Sequence, residues 1–122
     1  MMEGVKQLTD ENYVSFMENS DCVVFIDFYS ESCPPCQTLL SYLPRLSEHF
    51  KEEQVVIAKV NAGENPKLSS KFMVRTVPLT VVISQDKMVK QAEVGLLGID
   101  GYIKMIDKVL GKEKGFFSKL FG

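Results

Sequence analysis

The sequence predicts an α/β fold in which helices cover a mixed β-sheet. Three observations lead there. Strand-type and helix-type patterns alternate along most of the chain, as they do where parallel strands are joined through helices. Residues 22–29 read Cys-Val-Val-Phe-Ile-Asp-Phe-Tyr, a nearly unbroken run of strand-forming apolar residues that fits a strand buried on both faces. Late in the chain, two strand patterns follow one another across a short polar link, so that pair is expected to be antiparallel.

Taken in order, residues 5–8 suit a short edge strand. Thr9 or Asp10 is placed to cap a helix carrying Tyr13, Val14, Phe16 and Met17, which Asn19-Ser20-Asp21 then breaks. The apolar strand ends just before Cys33-Pro34-Pro35-Cys36. Beyond it, Leu39, Leu40, Leu43, Leu46 and Phe50 recur at helical spacing and predict an amphipathic helix to about His49. Pro44 lies inside that pattern with no amide hydrogen for the carbonyl of Leu40; the helix should kink there without ending. Residues 55–60 read as a second buried strand. Asn65 followed by Pro66, a capping residue before a proline at the first helical position, opens a short helix through Phe72. Residues 79–84 and 88–94 are the late strands, joined through Gln85-Asp86-Lys87, a link without the glycine that would fix its turn type. Asp100 is a candidate cap for a last helix with the stripe Ile103, Ile106, Val109 and Leu110, and Gly111 is placed to end it.

A chain of 122 residues fits one domain and can bury roughly two thirds of its unfolded surface. With 45% hydrophobic and 25% charged residues it has the composition of a soluble globular protein. A net charge of -2 gives no electrostatic ground for binding nucleic acid. No apolar run approaches the roughly 20 residues of a membrane span. The start Met1-Met2-Glu3-Gly4 lacks the basic-then-apolar pattern of a secretory signal, so a cytoplasmic location is expected. In that reducing compartment a close cysteine pair is more often catalytic or metal-binding than structural.

Cys33 and Cys36 are spaced so that the first turn of a helix would bring their sulfurs together. The same turn aims free amides and the positive end of the helix dipole at the first thiol. A redox-active dithiol is one reading of the pair. Half of a zinc site is the other, but the chain offers only Cys22 and His49 as further ligands, so such a site would need a second chain or a bridged cluster. Asp27 is the only charged residue in its apolar strand; if the strand is buried, its pKa should rise toward neutrality, whereas at a solvated strand end it would not.

The run Val24-Phe25-Ile26-Asp27-Phe28-Tyr29-Ser30-Glu31-Ser32-Cys33-Pro34-Pro35-Cys36 resembles the thioredoxin family. So do Ala58-Lys59-Val60-Asn61, Glu64-Asn65-Pro66, Val74-Arg75-Thr76-Val77-Pro78 and Val94-Gly95, which follow in the family's order. The resemblance implies a thioredoxin fold, with a central mixed sheet of about five strands flanked by helices, over residues 1–111. It implies a thiol-disulfide oxidoreductase, most simply a protein disulfide reductase. The substrates would be protein disulfides and the electron donor a thioredoxin-reductase-like protein or another dithiol. The Cys33-Cys36 disulfide would be the only redox group, with no cofactor and no metal.

Under that resemblance Cys33 is the nucleophile, with a pKa lowered from about 8.5 into the range of roughly 3.5 to 7.5, and Cys36 is the resolving thiol. Asp27 would lie beneath Cys36 and relay its proton, with Lys59 as its neighbour. The Val77-Pro78 bond would be cis and would present the backbone of Val77 to an extended substrate, while Gly95 would let that backbone come close. Pro34 and Pro35, between the cysteines, would complete the contact surface.

The chain also departs from the family. Pro34 stands where glycine is usual, which stiffens the loop and removes an amide near the thiolate. Ser32 replaces a tryptophan, Leu79 a threonine, and Gly63 falls where a surface acid is common. These changes imply an altered recognition surface and partners of its own. A second reading is therefore a binding module that keeps the fold and holds a partner with this surface and its tail, redox being incidental. Cys22 reads as a small core residue and His49 as a surface one. In the tail, residues 112–122, Phe116, Phe117, Leu120 and Phe121 would fall within a helical arc of roughly 140°. That amphipathic face is expected to contact its own domain, a second subunit, another partner or a membrane surface.

Overall fold

The computed structural model describes residues 4–111. The tail of residues 112–122 lies outside them. The order of elements is β1 (Val5–Gln7), α1 (Tyr13–Glu18), β2 (Val23–Tyr29), α2 (Pro34–His49), β3 (Val55–Asn61), a 3-10 turn (Ala62–Glu64), α3 (Pro66–Lys71), β4 (Leu79–Ile83), β5 (Val89–Val94) and α4 (Ile99–Leu110). The five strands form one sheet in the order β1-β3-β2-β4-β5. β1, β3 and β2 are parallel, and β4 and β5 are joined antiparallel as the hairpin pattern predicts.

Alternation along β2 explains its unbroken apolar run. Val23 and Phe25 face a core built with Leu39, Leu43 and Leu46 of α2 and Tyr102, Met105 and Ile106 of α4. Val24, Ile26 and Phe28 face the opposite core, built with Tyr13 of α1 and Leu68 of α3. Both faces are covered, so neither needs polar residues. Asp27 is the exception, and it falls on the α2 and α4 side by the same alternation.

α2 runs through Pro44 to His49 and buries Leu39, Leu40, Leu43 and Leu46, the stripe read from the sequence. Three local expectations are corrected. α4 is capped by Gly98, not by Asp100, which sits in the first helical turn where its charge suits the helix dipole. Its buried stripe is Tyr102, Met105 and Ile106, while Ile103 is only partly covered. Asp10 does not cap α1. Its carboxylate accepts from the backbone amides of Lys67 (3.1 Å) and Leu68 (2.9 Å), so it caps α3 across the sheet end.

Asn65, the residue at the cap position of α3, accepts instead from the amide of Asp10 at 2.9 Å and donates to the carbonyl of Asn61 at 2.9 Å. The loop after β1 and the start of α3 are thus tied by reciprocal side-chain bonds. Asp10→Ala leaves two helix-start amides without their acceptor and is expected to cost about 1 kcal/mol. A lowered urea midpoint with unchanged m-value checks this; an unchanged midpoint contradicts it.

In the β4-β5 link, Lys87 takes a positive φ of 71° without being glycine. Its amide bonds the carbonyl of Ser84 at 2.9 Å, and its ammonium reaches the carbonyl of Ser20. Those two bonds hold a left-handed conformation that a β-branched side chain would resist.

Candidate active site

The cysteine pair sits where β2 passes into α2. Cys33 has an extended backbone (φ -107°, ψ 107°), the conformation favoured in a residue preceding proline, and forms the N-cap of α2. Pro34 and Pro35 occupy the first two helical positions and bring no amide hydrogens. Cys36 therefore carries the first amide that the helix can offer, and it donates to Cys33 Sγ at 3.2 Å. Cys33 and Cys36 are joined as a disulfide with a Cα-Cα distance of 5.2 Å. Cys33 is partly exposed and Cys36 fully buried. An incoming group can therefore reach the first sulfur only.

The loop before β4 comes against the pair. The Val77-Pro78 bond is cis, and the carbonyl oxygen of Val77 lies 3.8 Å from Cys33 Sγ. Pro78 is buried and Val77 partly exposed. The carbonyl of Pro78 accepts from the amide of Gly95 at 2.9 Å, which joins this loop to the one after β5. Gly95 has φ +90°, and a Cβ built on it would meet nothing within 4 Å, so its open side faces free space. That conformation suits glycine and is strained for other residues. Val94 and Leu96 on either side are 61% and 40% exposed. Pro34, Pro35 and Ser32 are exposed as well. The result is a mostly apolar surface around one accessible sulfur.

Asp27 is fully buried, and neither carboxylate oxygen has a hydrogen-bond partner among the described residues. Burial pushes its pKa up to about 7; the positive charge of Lys59 opposes the shift without cancelling it. The register explains the pairing: Asp27 lies opposite Lys59 on β3 and Thr80 on β4. Lys59 also places its ammonium 5.8 Å from the ring centre of Tyr29. A buried acid that titrates near neutrality can take and give a proton at working pH.

The other singled-out residues lie elsewhere. Cys22 is an unpaired, half-buried thiol just before β2, whereas the disulfide follows the far end of that strand, roughly 20 Å away at the usual rise per residue. His49 is exposed at the end of α2, a helix that starts at Pro34. Neither can join Cys33 and Cys36 in one tetrahedral site. Among the described residues, no group of three or more His, Cys, Asp and Glu could hold a metal ion. Leu79 is buried in the core with α1 and α3, so its exchange for threonine does not alter the surface; Ser32 and Gly63 are exposed. No helix among the described residues is long and apolar enough to cross a membrane.

Sequence reasoning passed over Tyr102 altogether. Its ring is buried, and its hydroxyl contacts the loop after β5. The signal is present: Tyr102, Met105, Ile106 and Val109 repeat at helical spacing, a stripe that starts one residue before Ile103 and shares Ile106 and Val109 with the predicted one.

A dithiol that closes at a helix start, with one sulfur exposed and a buried near-neutral acid in the strand that leads to it, defines a thiol-disulfide oxidoreductase. The comparisons agree. The family model "Thioredoxin" matches residues 4–108, and the chain belongs to the thioredoxin family. It is 32% identical over 105 residues to thioredoxin of Chlorobaculum thiosulfatiphilum, covering 86% of this chain and 95% of that one. Thioredoxin 2 of Chlorobaculum tepidum is also 32% identical over 105 residues, with 86% and 94% covered. Among solved structures, a mutant thioredoxin from Halobacterium salinarum superposes with a TM-score of 0.75 at 27% identity, covering 88% of this chain and 92% of that one. Chloroplastic thioredoxin z reaches 0.79 at 22% identity, over 91% and 98%, and supports the fold alone.

Proposed function

We propose that the chain is a protein disulfide reductase in which Cys33 attacks, Cys36 resolves and Asp27 handles the proton of Cys36. The observation that carries this is the asymmetry of the pair: Cys33 is partly exposed and receives the Cys36 amide at 3.2 Å, while Cys36 is fully buried. The thiolate of Cys33 attacks a substrate disulfide, forming a mixed disulfide and releasing one substrate thiolate. The thiolate of Cys36 then attacks Cys33 Sγ, re-forming the internal disulfide and releasing the second substrate thiolate. Asp27, on the α2 side of the sheet with a pKa of about 7, accepts the proton that Cys36 must lose. Lys59 beside it keeps that pKa from rising further.

Val77, Pro78 and Gly95, with Pro34 and Pro35, form the substrate-facing surface. An extended segment paired with the Val77 backbone would carry its cystine to Cys33, since the Val77 carbonyl is 3.8 Å from that sulfur. The dithiol is the redox group, and no further cofactor is needed. The unpaired Cys22 suits a reducing cytoplasm. A thioredoxin reductase or another dithiol returns the pair to its reduced form.

Reduction of insulin disulfides driven by dithiothreitol tests the activity. Precipitation of the insulin B chain at a rate proportional to protein is expected; a pair that does not cycle would leave a thioredoxin-fold binding module. The partner surface is tested with the reductase of an ordinary thioredoxin. Ser32 supplies none of the area of an aromatic contact, so NADPH consumption is expected to be roughly tenfold or more slower, the scale of one lost interface anchor. Rates equal to those of ordinary thioredoxin would overturn the inference of altered partners.

A further inference from the structure

We infer that Tyr102 is a positioning residue for protein substrates, its hydroxyl holding the loop of residues 95–97 in the shape that an extended substrate meets. This rests on the reading of Val77, Pro78 and Gly95 as the substrate-facing backbone. The ring is fixed from below: it is fully buried, packs edge-on against Phe25 of β2 at 5.8 Å between centroids, and lies 6.4 Å from the ring of Tyr42 on α2. The position of the hydroxyl is therefore set by the sheet and by α2, not by the loop it touches.

That hydroxyl accepts from the amide of Leu97 at 2.8 Å and lies 3.4 Å from the carbonyl of Gly95, to which it can donate. Gly95 is held on its other side by its own amide, which donates to Pro78 at 2.9 Å. One glycine with φ +90° is thus tied both to the loop beside Cys33 and to a ring anchored in the core. Burial raises the pKa of the phenol, so the proton needed for the second bond stays in place at working pH. Without the hydroxyl, the Leu97 amide loses its acceptor and Gly95 keeps only the Pro78 tether. Glycine is the residue with most conformations to regain. A substrate would then have to order the loop as it binds, and affinity falls for that reason. The exposed side chains that the loop carries, Val94 and Leu96, fit apolar residues beside the substrate cystine.

Tyr102→Phe removes the hydroxyl and keeps the ring. The insulin assay, run over a range of insulin concentrations, and the reduction of dithiobisnitrobenzoate, a small disulfide that needs no extended pairing, separate loop from dithiol. The expected result is a KM for insulin raised about fivefold or more, with an unchanged rate on the small disulfide and an unchanged Cys33-Cys36 potential. An unchanged KM overturns the proposal, and so does an equal loss on both substrates, which would place the effect on the dithiol itself. Gly95→Val, which puts a side chain on the open face of the loop, tells the two readings apart. If it raises the insulin KM and Tyr102→Phe does not, only the role of Tyr102 fails; if neither does, the substrate surface is wrong too.

Discussion

Cys33→Ser is expected to abolish disulfide turnover, leaving only the background rate of dithiothreitol, while Cys36→Ser is expected to stop the reaction after one bond exchange. The two outcomes differ because the sulfurs differ in access. Cys33 is the one that solvent and substrate can reach, and the Cys36 amide at 3.2 Å favours its thiolate. Serine at that position is no nucleophile toward sulfur at neutral pH. In Cys36→Ser the attack still occurs, but the buried thiol that would release the substrate is gone, so the mixed disulfide with Cys33 persists. Mass spectrometry of Cys36→Ser after incubation with a cell extract should show protein adducts that dithiothreitol removes. If the adducts form equally well on Cys36 in the Cys33→Ser variant, the assignment of roles is reversed. The same trapped adducts identify the natural substrates.

Asp27→Asn is expected to raise the stability of the oxidised protein at pH 8 by about 4 kcal/mol and to leave it nearly unchanged at pH 4. The sign follows from proton counting. Asp27 has a pKa of about 7 in the folded chain, against an ordinary carboxylate value in the unfolded one. Between those values the folded state holds a proton that the unfolded state has released, so stability falls as pH rises. Below the unfolded value both states are protonated and the contribution is fully present; above pH 7 it is lost. Asparagine cannot titrate, which flattens this slope. Thermal unfolding at several pH values should show a gain of about 15 °C at pH 8, shrinking toward nothing in acid. A gain of the same size at every pH would mean that packing, not charge burial, separates the variants. Slower resolution of the mixed disulfide by the variant is expected in the same pH range, because the proton acceptor is missing.

Much of this fold was legible because two periodicities do most of the specifying. The run at residues 23–29 fits a strand covered on both sides, and the leucines after Cys36 fit the inner face of a helix, as the structure has them. Asp27 stood out for the same reason, as one charge in an apolar strand. What sequence left hidden are bonds between distant segments. Asp10 caps a helix whose start is more than fifty positions away, and nothing near Asp10 says so. Leu79 reads in the sequence as a change to the recognition surface, yet it is buried in the core, because the strand's facing is set by its pairing with β2. Tyr102 falls just before the stripe predicted for α4, and even as a core position its spacing says nothing of the bonds its hydroxyl makes. A residue type that is apolar at one end and polar at the other gives a periodicity scan only half of its meaning.

The placement of Cys22 offers a practical handle. The chain has three cysteines, and in the oxidised state two of them are joined, so a maleimide reagent finds a single thiol. It lies before β2, at the far end of the strand from the disulfide. A fluorophore or surface tether attached there leaves the reactive end facing solution. Closure and opening of the pair, and the arrival of a labelled substrate, can then be followed on single immobilised molecules without a reporter crowding the sulfur under study.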